Sequence, residues 1–180
     1  MPVEAPARFP VADCAAGCFG QVEIVETQRH LLVDGANILH AWPELRALLR
    51  RGRVAARAEL VRQMSAIHDE SVVRVTVVFD GSGGELSVVC PGGSATFAVV
   101  TTPTGMTADD FIEQWIGRAA APASCEVATG DVAQGRTVQA LGGQWISPAD
   151  LAAWVGRATG RMSVKLAGRV SENDRNWQRR

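Results

Sequence analysis

Most of the sequence alternates between short apolar segments of strand character and longer amphipathic segments of helical character. The clearest strand is VVRVTVVFD, in which β-branched residues lead up to Asp80. The clearest helix is ARAELVRQMSAIHDE, where Leu60, Met64 and Ile67 recur at helical spacing. Because crossover helices join parallel strands, this alternation predicts a three-layer α/β domain with a mostly parallel central sheet.

The remaining elements continue the same alternation. Further strands are predicted at LLV, LSVVC, ATFAVV, CEVAT and QWI. Further helices are predicted at PELRALL, at TADDFIEQWIGRAA, from Asp131 to Leu141, and from the capping Ser147 to about Gly160. We therefore expect an N-terminal extension at residues 1–29, the α/β domain at 30–158 and a basic C-terminal tail at 159–180.

Composition and charge exclude several classes of protein. With 180 residues, 47% of them hydrophobic, the chain suits a single globular domain. Its formal net charge of -1 means that a nucleic-acid partner has to be held by a local basic patch. No apolar run approaches the roughly 20 residues that cross a bilayer, and the N-terminus lacks the apolar stretch of a secretory signal. No membrane partner is expected.

Cysteine usage indicates the compartment. Cys14 and Cys18 form a lone C-x3-C without a second pair, and Cys90 and Cys125 stand apart, so the spacing is weak evidence for zinc. Reduced thiols are typical of cytoplasmic proteins. We therefore predict a cytoplasmic protein.

Acidic residues stand where several of the predicted strands end. Asp34 follows LLV, Asp80 follows VTVVF and Asp131 follows EVATG, while the pair Asp109 and Asp110 opens a helix after FAVVTTP. Parallel strands place their carboxyl ends on one edge of the sheet, so these acids should converge. Clustered carboxylates repel one another unless a cation lies among them, and Mg2+ or Mn2+ prefers oxygen ligands. The pattern predicts a metal site capable of phosphodiester cleavage.

Each of these acids also has a purely structural interpretation. Thr107 and Asp110 have the spacing of a capping box, and an acid in the first turn suits the helix dipole. Asp131 fits equally well as the cap of the helix that follows it, and Asp80 as a turn residue before Gly81. The residues alone leave these alternatives open, although a structural role is harder to give to all the acids at once.

With these residues in hand, the sequence resembles the YacP-like branch of the NYN domains, which belong to the PIN-like nucleases. The matching segments are LLVDGANILHAWPEL, ARAELVRQM, VTVVFDGS, TGMTADDFIEQWI and VATGDVAQ, in family order over residues 30–158. The resemblance implies a PIN-like α/β/α fold and a metal-dependent endoribonuclease that uses Mg2+ or Mn2+. Some relatives act on RNA in association with ribosomes, so RNA, including ribosome-bound mRNA, is the implied partner.

The resemblance also implies roles for individual residues. It assigns the metal site and catalysis to Asp34, Asp80, Asp109 and Asp131, with Asp110 as a neighbouring or second ligand. Asn37 matches the family's Asn after the first strand, where it would orient a water or a phosphate at the metal site. The sequence departs from the family in having Ala36 where an aromatic residue is common. It also has Ala133 where broader NYN domains carry another Asp, which is closer to the YacP pattern.

Basic residues are the candidates for RNA binding. Arg57 matches an Arg in the family's second helix and could face a phosphate, while a surface ion pair is the structural alternative. Arg161 and Lys165 belong to the basic tail, which could hold an RNA backbone or simply be solvated. The function predicted from the sequence is a metal-dependent endoribonuclease. The alternative is a non-catalytic RNA- or ribosome-binding module with the same fold, and a more distant one is a DNA-directed nuclease.

Overall fold

The computed structural model describes residues 29–177, with side chains up to residue 163. Except for Arg29, the predicted extension lies outside the described residues, and so do Cys14 and Cys18. Cys90 and Cys125 lie within them, and Cys125 is a buried free thiol. The strands are β1 (His30–Asp34), β2 (Arg74–Gly83), β3 (Ser87–Val89), β4 (Phe97–Pro103), β5 (Cys125–Ala128) and β6 (Gln144–Ile146). They form one sheet in the order β3-β4-β2-β1-β5-β6, in which β3 pairs antiparallel and the others pair parallel.

Helices cover both faces of this sheet. They are α1 (Gly35–Ala41), α2 (Pro43–Leu49), α3 (Arg53–Glu70), α4 (Ala108–Arg118), α5 (Val132–Ala140) and α6 (Pro148–Trp177). In β1, Leu31 and Val33 pack in one core with α1, α2, α3 and α6, whereas Leu32 packs in the other core with α4 and α5. Alternate side chains of a strand point to opposite faces, so a continuous apolar strand serves both cores. The predicted three-layer α/β/α fold is confirmed.

Two elements extend further than the sequence predicts. Helix α6 continues to Trp177, so the prediction that it ends near Gly160 is wrong. An interior glycine costs a helix only about 1 kcal/mol relative to alanine, and the packing of Trp154 and Val155 against the core offsets that cost. Strand β2 continues past Asp80 to Gly83, with an irregularity in its pairing to β4 between Phe79 and Gly83. None of the helices in the described residues is long and apolar enough to cross a membrane.

His30 is a buried histidine on the α4 side of the sheet. Its Nε2 lies 2.9 Å from Oγ1 of Thr76, and its ring meets the ring of Trp115 edge-on at 5.2 Å. Burial, and to a smaller extent the charge of Arg74, lowers the pKa of this imidazole to about 3 from 6.5. His30 is therefore neutral in the folded protein throughout the ordinary pH range.

Mildly acidic solution is expected to destabilise the protein through His30. Between pH 6.5 and pH 3 the unfolded state binds a proton that the folded state does not, so the free energy of unfolding falls as the pH falls. The variant His30→Gln has no imidazole to protonate. By pH 4 we therefore expect its free energy of unfolding to have fallen by roughly 2–3 kcal/mol less than that of the wild-type protein. Urea unfolding of both proteins across this pH range measures the effect. Parallel stability curves would contradict the prediction.

Candidate metal centre

The end of β1 delivers Asp34 to the carboxyl edge of the sheet. Asp34 is only 2% exposed and is the N-cap of α1, accepting a hydrogen bond from the backbone N of Asn37 at 3.0 Å. The side-chain Nδ2 of Asn37 donates to its other oxygen at 2.6 Å. Hydrogen bonds to a carboxylate are strong, so this pair holds the orientation of the Asp34 side chain.

Gly35 allows α1 to begin in direct contact with β2. A Cβ on this residue would lie 2.2 Å from Cε1 of Phe79, well inside van der Waals distance. Phe79 is itself buried in the core beneath α1. The glycine after Asp34 therefore lets the first turn of α1 pack directly against Phe79 near the end of β2.

Asp80 connects β2 to the start of α4. Its Oδ1 accepts a hydrogen bond from the backbone N of Ala108, the first residue of α4, at 2.8 Å. This bond places the first turn of α4, which carries Asp109, beside the carboxyl end of β2. The Asp80 side chain remains exposed to solvent.

The pKa of Asp109 indicates that the other three predicted acids lie close to it. Asp109 is half-buried, and its pKa is raised from 3.8 to about 6. Burial is the largest cause, followed by the charge of Asp34 and a hydrogen bond to it, and then by the charges of Asp131 and Asp80. Burial alone would raise this pKa, but the contributions from the charges of Asp34, Asp131 and Asp80 require those carboxylates to lie close to Asp109. The structure therefore brings Asp34, Asp80, Asp109 and Asp131 to one edge of the sheet.

Asp131 reaches this edge as the N-cap of α5. Its Oδ1 accepts hydrogen bonds from the backbone N of Ala133 at 2.7 Å and of Gln134 at 3.2 Å. The preceding Gly130 lies beside Asn37, whose Oδ1 would be 3.5 Å from a Cβ placed on that glycine. The capping role foreseen for Asp131 is therefore present, and it coexists with a position in the acid cluster.

Asp110 has the structural role that its spacing with Thr107 predicts. The Thr107 side chain accepts from the Asp110 backbone N, and Asp110 Oδ2 accepts from the Thr107 backbone N, each at 3.0 Å. These bonds lower the pKa of the exposed Asp110 carboxyl group. Asp110 is not among the groups that act on Asp109. A metal-ligand role for Asp110 stays a prediction.

The three basic candidates are placed differently. Arg57 lies next to the acids, because its Nη2 donates to the backbone O of Asp80 at 2.9 Å. Arg161 lies at the other end of the sheet, where its Nε pairs with Oε1 of Glu70 at 2.8 Å. Lys165 belongs to α6, but its side chain lies outside the described residues. Of the two candidates with described side chains, Arg57 is the one beside the acid cluster, and RNA contacts by all three stay predictions.

Sequence reasoning missed two residues near these acids. Arg53 precedes Arg57 by one helical turn, so the spacing of four residues could have placed both on one face of α3. Gln134 is 3% exposed, and neither atom of its side-chain amide has a hydrogen-bond partner among the described residues. Nothing in the sequence distinguishes this glutamine from an ordinary residue of a first helical turn.

The acid cluster suits a hard divalent cation in its chemistry. Within residues 29–163, no three His, Cys, Asp or Glu side chains are already arranged around a point where one ion could sit. Mg2+ commonly binds to one or two carboxylates and keeps several water ligands, so a complete cage of side chains is not required. The repulsion that raises the pKa of Asp109 is also the kind that a bound cation relieves.

The variant Asp109→Asn is expected to be more stable than the wild-type protein in metal-free solution at pH 8. The pKa of Asp109 is about 6 in the folded protein, against a reference value of 3.8 for the unfolded chain. The wild-type protein therefore loses stability as the pH rises from 3.8 to about 6. Two pKa units correspond to about 3 kcal/mol, which solvent screening of a half-exposed group reduces to about 1 kcal/mol, or a rise in Tm of about 2–4 °C.

Thermal melts with EDTA at pH 8 and at pH 4 measure the difference in Tm between Asp109→Asn and the wild-type protein. The difference should be present at pH 8 and vanish at pH 4. The neighbouring substitution Asp110→Asn provides the control. It removes the same charge but weakens the capping box, so it should lower Tm instead. An equal stabilisation by Asp109→Asn at both pH values would contradict the prediction.

Comparisons with known proteins give the family and the fold relatives of this chain. The family model of the YacP-like NYN domain matches residues 31–180. The chain is similar to the crystal structure of Rae1 (YacP) from Bacillus subtilis, with 26% identity and a TM-score of 0.66, covering 83% of this chain and 86% of that one. A variant of Rae1 matches with 27% identity and a TM-score of 0.68, over 81% and 86% of the two chains. No curated protein matches.

This family supports a general class of function. NYN domains are a PIN-like nuclease family, which supports a hydrolase acting on RNA. Nucleases of this type generally use divalent metal ions, in agreement with the oxygen donors gathered at the edge of the sheet. With a match that covers most of its length and a fold shared with Rae1, the chain belongs to the YacP-like NYN domain family.

Proposed function

We propose that the protein is a metal-dependent endoribonuclease that hydrolyses phosphodiester bonds of RNA in the cytoplasm. The observation that carries this proposal is the convergence of Asp34, Asp80 and Asp131 on Asp109, whose pKa is raised to about 6 by burial and by these neighbouring acids. Membership in a PIN-like nuclease family supports the reaction class and the RNA substrate.

The four clustered acids would hold Mg2+ or Mn2+. A divalent ion bound by carboxylates lowers the pKa of an attacking water and neutralises charge on the scissile phosphate. Asp34, Asp80, Asp109 and Asp131 supply oxygen donors of the kind that these ions prefer. Asp110 would act from the capping box as a neighbour rather than as a principal ligand.

The chain itself orients these donors before any ligand arrives. Asn37 holds Asp34 through both its backbone N and its side-chain Nδ2. Asp80 and Asp131 each accept backbone hydrogen bonds on Oδ1, and within the described residues no hydrogen bond engages their Oδ2 atoms. Carboxylates held in this way need little reorganisation during the reaction, which is the main source of electrostatic catalysis.

A chelator experiment tests the proposal. Purified protein should cleave a labelled single-stranded RNA in the presence of Mn2+ or Mg2+, stop when EDTA is added, and resume with excess metal. The variant Asp131→Asn should be inactive under all three conditions, because it removes one of the clustered charges. Metal-independent cleavage, or full activity of Asp131→Asn, would contradict the proposal.

The second candidate is a non-catalytic RNA- or ribosome-binding module. It is favoured by the lack, within residues 29–163, of three side chains already placed around one metal position. RNA binding that EDTA does not change, without cleavage in Mn2+ or Mg2+, would support this module over the enzyme.

We also propose that ribosome-bound mRNA is among the substrates, on the basis of the family resemblance. If so, the inactive Asp131→Asn variant should travel with ribosomes through a sucrose gradient at low salt and dissociate at high salt. Its absence from the ribosomal fractions at low salt would contradict this part of the proposal.

A further inference from the structure

A second feature lies beside the acid cluster, on the α3 side of Asp80. It is a cavity of about 430 Å3, which we call the arginine pocket. Apolar and cationic side chains share its lining: Leu39, Leu49 and Phe79 are apolar, and His40, Arg53 and Arg57 carry or can carry positive charge. A volume of this order is typical of sites that hold a small molecule or one unit of a polymer.

Arg57 is held rigidly in this pocket. Its Nη2 donates to the backbone O of Asp80 at 2.9 Å, and its guanidinium carbon lies 4.5 Å from the centre of the Phe79 ring. Its Nε is buried and has no hydrogen-bond partner among the described residues. A preorganised guanidinium loses little conformational entropy when it binds an anion.

The positive charge of the arginine pocket is incompletely balanced. Arg53 lies one helical turn before Arg57 and forms no ion pair within the described part of the chain. Burial, and to a smaller extent the charge of Arg53, lowers the pKa of Arg57. The Asp80 carboxylate is the one acidic group in the lining. Two guanidinium groups facing one carboxylate leave an excess of positive charge that favours an anion.

A larger cavity, of about 500 Å3, lies at the amino ends of the strands and differs in this respect. Arg29 pairs there with Glu126 at 2.6 Å, and Arg161 pairs with Glu70 at 2.8 Å. Because Arg29 and Arg161 are paired with acids, and the third arginine of the lining, Arg157, shares it with Asp150, that cavity offers less attraction for an anion. The arginine pocket is therefore the stronger candidate for a binding site.

The position of the arginine pocket indicates its ligand. Asp80 belongs to both the acid cluster and the pocket, and Ala36, which also lines the pocket, lies between Asp34 and Asn37. A polynucleotide with one phosphate at the acids would therefore place its adjacent nucleotide in the pocket. Guanidinium groups suit the phosphate, and the apolar side chains suit a ribose or a base.

We propose that the arginine pocket binds one nucleotide of single-stranded RNA next to the scissile phosphate, with Arg53 and Arg57 on its phosphate and Leu49 against its ribose or base. This assignment rests on the proposed function for its orientation relative to the cleaved bond. Single-stranded RNA is required because a base that is stacked and paired in a duplex cannot enter a recess of this kind.

The test measures affinity rather than cleavage. A short fluorescein-labelled single-stranded RNA, and separately its duplex with the complementary strand, are titrated with protein in Mg2+, and fluorescence anisotropy is followed at several salt concentrations. All proteins carry Asp131→Asn, so that RNA is not cut during the titration. The variants are Arg53→Gln, Arg53→Lys, Leu49→Gln and the control Arg62→Gln, which removes the same charge from α3 but whose guanidinium pairs with Glu59 outside the pocket. Circular dichroism confirms that each variant folds.

Arg53→Gln should weaken binding about five- to tenfold and reduce the slope of log K against log salt by about 0.7, the value for one phosphate contact on a single strand. Arg53→Lys should keep the slope, because it keeps the charge. Leu49→Gln should weaken binding without changing the slope, because it alters an apolar contact. Arg62→Gln should bind like its parent.

Three results would overturn the proposal: equal effects of Arg53→Gln and Arg62→Gln, no measurable RNA binding by the parent, or equal weakening of single-stranded and duplex RNA by Leu49→Gln. The outcome is separate from that of the chelator experiment. A protein that binds RNA through the arginine pocket but never cleaves it in Mn2+ would refute the nuclease proposal and leave the binding site in place.

Discussion

The variant Asp34→Asn is expected to cleave RNA at least about a hundredfold more slowly than the wild-type protein while retaining its fold. Asp34 is the most deeply buried of the clustered acids, and Asn37 holds both of its oxygens. An amide is a weaker ligand for Mg2+ or Mn2+ than a carboxylate, so the loss of one charge should weaken metal binding directly.

The same substitution should cost little stability. Asparagine is as good an N-cap as aspartate, so α1 keeps its first-turn hydrogen bond, and the Asn37 amide can turn so that its oxygen accepts from the new side-chain NH2. Removing a negative charge next to Asp109 also relieves the repulsion that raises the pKa of that group. A loss of activity with an unchanged or higher Tm would therefore separate the chemical role of Asp34 from its structural one.

Initial cleavage rates at saturating Mn2+, together with thermal melts, measure both effects. The control is Asp150→Asn, which removes an exposed carboxylate that bonds to Ser147 at the start of α6 and is not among the charges acting on Asp109. It should cleave at the wild-type rate. A wild-type rate for Asp34→Asn as well would contradict the assignment of Asp34 to the metal centre.

The variant Gly35→Ala is expected to lose about 3 kcal/mol of unfolding free energy, the upper part of the range for overpacked cores. The new methyl group would lie 2.2 Å from Cε1 of Phe79. Phe79 is 2% exposed and has the guanidinium of Arg57 over its ring, so the ring cannot move away without disturbing its neighbours. Urea unfolding measures the loss.

A double-mutant cycle and a matched glycine test the cause. Phe79→Ala removes the ring atoms that lie within 3 Å of the new methyl group, so Gly35→Ala should cost less stability in the Phe79→Ala background than in the wild-type protein. Gly156→Ala adds the same methyl group within α6, where no other atom lies within 4 Å, and should stabilise the protein by about 0.5–1 kcal/mol. Equal losses from both glycine substitutions would contradict the close contact with Phe79.

Local patterns predicted individual elements well where one face of the element is buried. The bounds of α2 follow from Pro43 at its start and from the Arg-Arg-Gly that follows Leu49. The capping box of Thr107 and Asp110 was readable from spacing and is present as a pair of hydrogen bonds. The end of α6 was not readable, because Gly160 is a weak helix breaker and packing against the core outweighs it.

The sequence by itself determined the α/β/α architecture, the acids near the strand ends and the family to which the chain belongs. These features depend on local periodicity and on residue types, which the sequence displays directly. Only the tertiary structure decided that β2, β1 and β5 lie side by side, that Asp109 therefore has a pKa of about 6, and that Arg53 and His40 share a pocket with Asp80. Strand order and side-chain proximity arise from contacts between residues far apart in the chain, and local periodicity contains no information about them.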